Sequence, residues 1–123
     1  MSIKPLILIV DDEDLLRISL TDYLEDSGYV VYGADSGESG LQQLLMLPVD
    51  LCLVDMRLPG MNGNEFIQRA RAFKKDLKII IFTGSVDYTL PEELRRLGLR
   101  RSNILFKPLT DLSLLVKMIE ATV

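Results

Sequence analysis

Asp11, Asp12, Asp55, Thr83 and Lys107 each stand at the end of a short apolar run. Together they offer three carboxylates, one hydroxyl and one ammonium. That set suits a hard divalent cation and a phosphoryl group. Adjacent carboxylates repel, so folding Asp11 and Asp12 beside a third acid requires something to neutralise them. Magnesium does this with one or two carboxylates, waters and the oxygens of a phosphate. An aspartate can also act as a nucleophile toward phosphorus and form an acyl phosphate. Asp55 suits that role, because it ends a buried run and opens a loop that carries Pro59-Gly60 and Asn62-Gly63. Lys107 can pair with Asp55 before phosphorylation and with a phosphoryl oxygen afterwards. Taken singly, each residue has an ordinary reading: an Asp that opens a turn, a solvated Lys before a helix, a Thr-Gly-Ser loop. Glu13 and Asp14 read as the acidic first turn of a helix.

The runs themselves say how these groups meet. Leu6–Val10, Leu51–Val54, Ile79–Phe82 and Asn103–Phe106 are short and apolar, as buried strands of a parallel sheet are. Ligands of such sheets bind outside the carboxyl ends of the strands, which gathers all five residues at one edge. Between the runs the period changes to helical. Leu16, Leu20, Tyr23 and Leu24 predict a helix from about Asp14 to Ser27, stopped by Gly28. Tyr29–Ala34 reads as a further strand. Asp35 or Ser36 can cap a helix carrying Leu41, Leu44 and Leu45, ended by Pro48. Phe66, Ala70 and Phe73 mark a helix face that Ile67 widens. Pro91 with Glu92-Glu93 opens a helix that Gly98 closes. Ile104–Phe106 is a fifth strand, and Leu112, Leu115, Val116 and Ile119 line a last helix. Five strands separated by helices must pair in parallel, with right-handed crossovers. The expectation is an α/β protein of five β-α units, with residues 1–123 forming one domain.

Composition narrows the function. Of 123 residues 48% are hydrophobic, enough for a real core. The formal charge of −4 argues against nucleic-acid binding by this domain. With no histidine, His-based metal sites, Ser-His-Asp triads and phosphohistidine relays through this chain are excluded. The single cysteine, Cys52, lies inside a strand and reads as a small buried hydrophobe. The stretch from Met1 to Val10 is too short in apolar length for a signal peptide or a membrane span, so the expected location is cytoplasmic.

The residues also carry a family resemblance along essentially the whole chain. Ile9-Val10-Asp11-Asp12-Glu13, Val54 to Gly63, Thr83-Gly84 and Lys107-Pro108 together resemble the receiver domain of two-component response regulators. The Asp55-to-Gly63 stretch is the most specific part. The resemblance implies a doubly wound (βα)5 fold with a five-stranded parallel sheet in the flavodoxin-like strand order 2-1-3-4-5. It implies that Asp55 receives a phosphoryl group from the phosphohistidine of a sensor histidine kinase or phosphotransfer protein. It implies Mg2+, with Mn2+ as a substitute, held by Asp11, Asp12, Asp55 and the backbone carbonyl of Arg57. Thr83 and Lys107 then contact the phosphoryl group. Such a domain is not an enzyme toward other substrates; it catalyses only its own phosphorylation and dephosphorylation. The implied output is a switched face of the fourth helix, fifth strand and fifth helix. Leu94, Leu97, Ile104 and Phe106 would belong to that face, which would contact an output domain or partner protein. A phosphorylation-dependent homodimer is compatible with it, and no membrane contact is implied.

Two departures stand out. The family often has an aromatic three residues before the lysine, where this chain has Ile104. Arg95-Arg96 and Arg100-Arg101 flank Gly98, where small residues are more usual; they read as a solvated helix end or as a docking patch for an acidic surface. Three other classes compete. A metal-dependent phosphohydrolase usually has a second acid two residues after its nucleophile, and here Arg57 stands there. A nucleotide- or flavin-binding domain wants a Gly-rich loop after the first strand, where this chain has Asp-Asp-Glu-Asp. A degenerate receiver would lack one of the five key residues, and all five are present.

Overall fold

The computed structural model describes residues 4–123; Met1, Ser2 and Ile3, part of the stretch read above for a leader, lie outside the described residues. The elements run β1 (Leu6–Val10), α1 (Asp14–Asp26), β2 (Val30–Ala34), α2 (Gly37–Met46), β3 (Leu51–Val54) and α3 (Gly63–Phe73). They continue with β4 (Lys78–Thr83), α4 (Glu92–Arg96), a 3-10 turn (Arg101–Asn103), β5 (Ile104–Phe106) and α5 (Ser113–Thr122). All strand pairs are parallel, in the order β2-β1-β3-β4-β5. The doubly wound five-stranded arrangement expected above is therefore the observed one.

Burial explains the strand composition. Every residue of β3 is buried, and β3 pairs with β1 on one side and β4 on the other. Alternate residues feed two cores. Val10, Val54 and Ile81 pack under Phe66, Ile67, Ala70 and Leu94, from α3 and α4. Ile9, Leu53 and Phe82 pack under Leu20 and Leu24 of α1 and Leu115 and Ile119 of α5. Each of these Val, Leu, Ile and Phe side chains contributes about 1.5–3 kcal/mol by leaving water. Cys52 lies in β3 between Leu8 and Ile79, and burial pushes its thiol well above the usual range. No helix among the described residues is long and apolar enough to cross a membrane.

Local signals set the helix ends. Ser36 Oγ accepts from the Ser39 N–H at 3.1 Å, so of Asp35 and Ser36 it is Ser36 that caps α2. Asn62 Oδ1 accepts from the Glu65 N–H at 2.9 Å and caps α3. Gly28 has φ +94° and Gly98 φ +91°, the left-handed backbone that ends a helix and that L side chains resist.

Several expectations need correction. Helix α1 stops at Asp26, one residue short of the expected Ser27, and β2 begins at Val30 where Tyr29 was expected, while α2 stops at Met46 ahead of Pro48 as expected. Phe73, counted with the buried face of α3, is 56% exposed; it occupies the helix's last position, along the seam with α2 beside Leu41. Leu45 of α2 is likewise exposed. Leu94, assigned to an output surface, is wholly buried, because α4 has only five residues and turns that one inward.

Candidate metal and phosphoryl site

Asp11, Asp55 and Lys107 each sit one step beyond a strand and Thr83 is the last residue of its own, while Asp12 lies a further step past β1; the first three keep their backbone tied to the neighbouring strand. The Asp11 N–H donates to the Ala34 carbonyl at 3.0 Å and the Asp55 N–H to the Val10 carbonyl at 2.9 Å. The Lys107 N–H donates to the carbonyl of Thr83, the last residue of β4, at 2.8 Å. The sheet's ladder thus continues into the site and leaves little freedom there. Gly63 closes the loop after Asp55: a Cβ there would stand 2.6 Å from the Asp55 carbonyl oxygen and 2.7 Å from Met56 Cα. The start of α3 is pressed against the backbone of Asp55, which only a residue without a side chain permits.

The side chains converge as the sequence pattern predicts. One carboxylate oxygen from each of Asp11, Asp12 and Asp55 lies within 4.8 Å of the others. Asp11 and Asp55 are buried, at 1% and 5% exposure, and Asp12 is exposed. Asp55 Oδ1 accepts from the Arg57 N–H at 3.1 Å, while Oδ2 faces Lys107 Nζ at 3.6 Å. Thr83 is buried, and its Oγ1 accepts from the Ser85 N–H at 3.2 Å. That bond uses the hydroxyl as acceptor and leaves its proton available to another oxygen.

Lys107 forms the expected ion pair with Asp55, at 3.6 Å, but has two closer partners. Its Nζ donates to Asp11 Oδ2 at 2.9 Å, and Glu13 Oε1 stands at 3.4 Å, nearer than Asp55. Glu13 is not in the first helical turn: it precedes α1 and turns its carboxylate to the lysine. The third acid of Asp11-Asp12-Glu13 was the available signal for this contact. The ammonium also stands 5.2 Å from the centre of the Phe82 ring.

The electrostatics follow from burial. Burial raises the Asp55 carboxyl above its ordinary value, and the charges of Asp11 and Asp12 push the same way. The Arg57 N–H and the Lys107 charge oppose them without prevailing. For Lys107, burial favours the neutral amine. Its hydrogen bond to Asp11 and the charges of Asp11, Asp55 and Glu13 outweigh that, and its pKa rises. The edge is a negative pocket into which the Lys107 ammonium reaches. Its donor atoms are hard oxygens, the set that Mg2+ takes, so the residues fit such an ion.

A second opening, of about 760 Å3, lies between the β4–α4 loop, the end of α4 and β5. Tyr88, Leu99, Ile104 and Phe106 line it, with Arg95 and Arg101. Ile104 is half-buried and pairs with Ile81 of β4.

Known proteins resemble this chain along most of its length. Residues 7–120 match the family model described as the response regulator receiver domain. The chain belongs to the response regulator receiver family. It is 34% identical over 92 residues to sporulation initiation phosphotransferase F of Bacillus subtilis, covering 75% of this chain and 74% of that protein. It is 32% identical over 123 residues to the transcriptional regulatory protein FixJ of Bradyrhizobium diazoefficiens, all of this chain but 58% of that one. Among solved structures, the response regulator protein TrrA of Thermotoga maritima, in complex with Mg2+-BeF, is 31% identical with a TM-score of 0.77, covering 95% of this chain and 99% of that one. This receiver therefore shares family and fold with proteins of two-component signalling.

Proposed function

We propose that Asp55 is the phosphoacceptor of this receiver and takes its phosphoryl group from the phosphohistidine of a sensor histidine kinase or phosphotransfer protein. The carrying observation is the state of its carboxylate. Oδ1 is held by the Arg57 N–H, and Oδ2 is left facing an ammonium at 3.6 Å. In the transfer, an Asp55 oxygen bonds phosphorus as the donor's phosphorus–nitrogen bond breaks. Such a reaction asks for in-line positioning and charge neutralisation and little else. Asp11, Asp12, Asp55 and the backbone carbonyl of Arg57 would hold Mg2+, or Mn2+ in its place. The bound ion supplies positive charge to the oxygens of the transferring group. Lys107 neutralises further charge, and Thr83 donates its hydroxyl proton to a phosphoryl oxygen.

The product carries roughly −1.5 to −2 charges at neutral pH. It competes with Asp11 and Glu13 for Lys107, and it draws Thr83 toward itself. Both residues adjoin β5, so the response passes to the face formed by α4, β5 and α5. Leu97, Ile104 and Phe106 are half-buried there, available to an output domain, a partner protein or a second phosphorylated copy. On this reading residues 1–123 work as one receiver domain in the cytoplasm. They catalyse only their own phosphorylation and dephosphorylation and bind neither nucleic acid nor membrane.

Intact-mass spectrometry tests the acceptor. Parent and Asp55→Asn are incubated with acetyl phosphate and Mg2+, with a parallel arm in EDTA. One added phosphoryl mass in the parent with Mg2+, and none in Asp55→Asn or EDTA, is expected. Equal labelling of Asp55→Asn overturns the assignment, and turnover of an unrelated phosphate ester replaces it with a hydrolase.

A further inference from the structure

The three acids of the edge are not held alike. Asp11 accepts from the Glu13 N–H and from Lys107, and Asp55 accepts from the Arg57 N–H. The Asp12 carboxylate is exposed and accepts no hydrogen bond from the described residues, yet it stands within 4.8 Å of the other two. Its place therefore depends on the backbone that carries it. The carbonyl of the Asp11–Asp12 peptide accepts from Arg17 Nη1 at 2.7 Å. The other arm of the guanidinium, Nη2, donates to Asp14 Oδ1 at 2.8 Å. The Arg17 side chain is only 18% exposed, and its stem crosses Gly33 of β2. A Cβ at Gly33 would stand 3.0 Å from Arg17 Cδ and 3.3 Å from Nε. Gly33 faces Ile9 in the β1–β2 ladder, one residue before the Ala34 carbonyl that anchors the Asp11 N–H.

A surface ion pair one helical turn apart explains the Asp14 contact and is worth a few tenths of a kcal/mol. It explains neither the carbonyl contact nor the missing side chain at residue 33. We propose that Arg17 is a positioning residue for the cation site. It holds the Asp11 carbonyl, fixes the Asp11–Asp12 peptide and thereby sets the Asp12 carboxylate, while Gly33 leaves the room its stem needs. The proposal rests on the reading of the three acids as a cation site. Groups that orient ligands from behind typically change metal affinity 10- to 100-fold.

Two measurements test it. Calorimetry gives the Mg2+ affinity of the parent, Arg17→Ala, Arg17→Lys, Gly33→Ala and the Arg17→Ala/Gly33→Ala pair. NMR follows exchange of the Glu13 amide, which donates to Asp11 Oδ1, in metal-free protein. Arg17→Ala is expected to weaken Mg2+ about ten-fold and to speed Glu13 exchange. Lys, a point charge without the fork, falls between. Gly33→Ala weakens Mg2+ in the parent and adds nothing in the Arg17→Ala background, the coupling a shared mechanism requires. An Arg17→Ala affinity within about two-fold of the parent overturns the proposal, as does a Gly33→Ala effect undiminished without Arg17. If Arg17→Ala does not fold, Arg17→Lys and Gly33→Ala decide by the same criteria. A parent that binds no Mg2+ removes the cation reading instead; the clamp then stands or falls on Glu13 exchange, and unchanged exchange overturns it.

Discussion

Strands β3 and β5 both deliver a residue of the site, Asp55 and Lys107, but they are built differently. Strand β3 has four wholly buried residues and a partner on each side, and the start of α3 presses on the residue that follows it. Strand β5 has three half-buried residues, lies at the sheet's edge and pairs with β4 alone. Its neighbour α4 has five residues, and a cavity separates the two. Asp55, the proposed acceptor, thus follows a strand buried along its whole length, and Lys107 follows a short, half-buried edge strand. A change of charge at the site can shift Lys107 and β5 without disturbing the Asp55 carboxylate. Regions with few buried apolar groups are the ones that open or move at low cost.

The largest test of this contrast is a pair of aromatic truncations. Phe66→Ala empties the core above β3 and is expected to cost about 3–5 kcal/mol by urea unfolding. Phe106→Ala, half-buried on β5, is expected to cost about 1 kcal/mol. Equal costs would erase the distinction between the two sides. Two glycines sharpen it next. Gly63→Ala forces backbone apart at Asp55 and is expected to cost about 2–3 kcal/mol. Gly84→Ala meets nothing nearer than 3.9 Å, the Lys107 Cβ, and should be nearly neutral in the same assay.

A smaller effect comes from charge. Burial raises the Asp55 carboxyl, so the fold takes up a proton that the unfolded chain has already lost. Stability from this group therefore falls as pH rises from about 3.8, the unfolded value, through the raised folded value, and is flat above it. In EDTA at neutral pH, Asp55→Asn should melt about 2–4 °C above the parent, and the gap should close toward pH 4. Added Mg2+ should raise the parent more than the variant. Lys107 has the same sign at a higher pH: its pKa is also raised, so its contribution is complete below about 10.5, the unfolded value, and is lost as pH climbs through its raised folded value. The smallest effect concerns Arg57, whose side chain is exposed beside Asp55. Replacing it with Ala is expected to change the lifetime of the phosphorylated form, read by phosphate release, while leaving the unfolding midpoint within about 0.5 kcal/mol.

Much of this was legible in the residues. The fully apolar run of β3 could only be a central strand, and the turn dipeptides after Asp55 placed that acid at a strand end. Period failed where elements are short or terminal. Phe73 keeps the spacing of Phe66 and Ala70, but at the last position of α3 it leaves the sheet for the α2 seam. In a five-residue helix no period can say which side Leu94 takes. The order of the Lys107 partners was invisible for another reason: residues 11, 13 and 55 lie at comparable reach across the fold, and only geometry ranks them. The same holds for Arg17, one more arginine in a helix until its guanidinium is seen on the Asp11 carbonyl.

Cys52 makes the molecule its own clock. It lies in the middle strand with no exposure, and burial disfavours its thiolate. A thiol reagent can therefore reach it only when the sheet parts. The labelling rate, divided by that of the unfolded chain, is the fraction of time the centre stands open. Comparing that fraction with and without Mg2+ reports, from one atom, how far an event at the strand ends tightens the whole sheet.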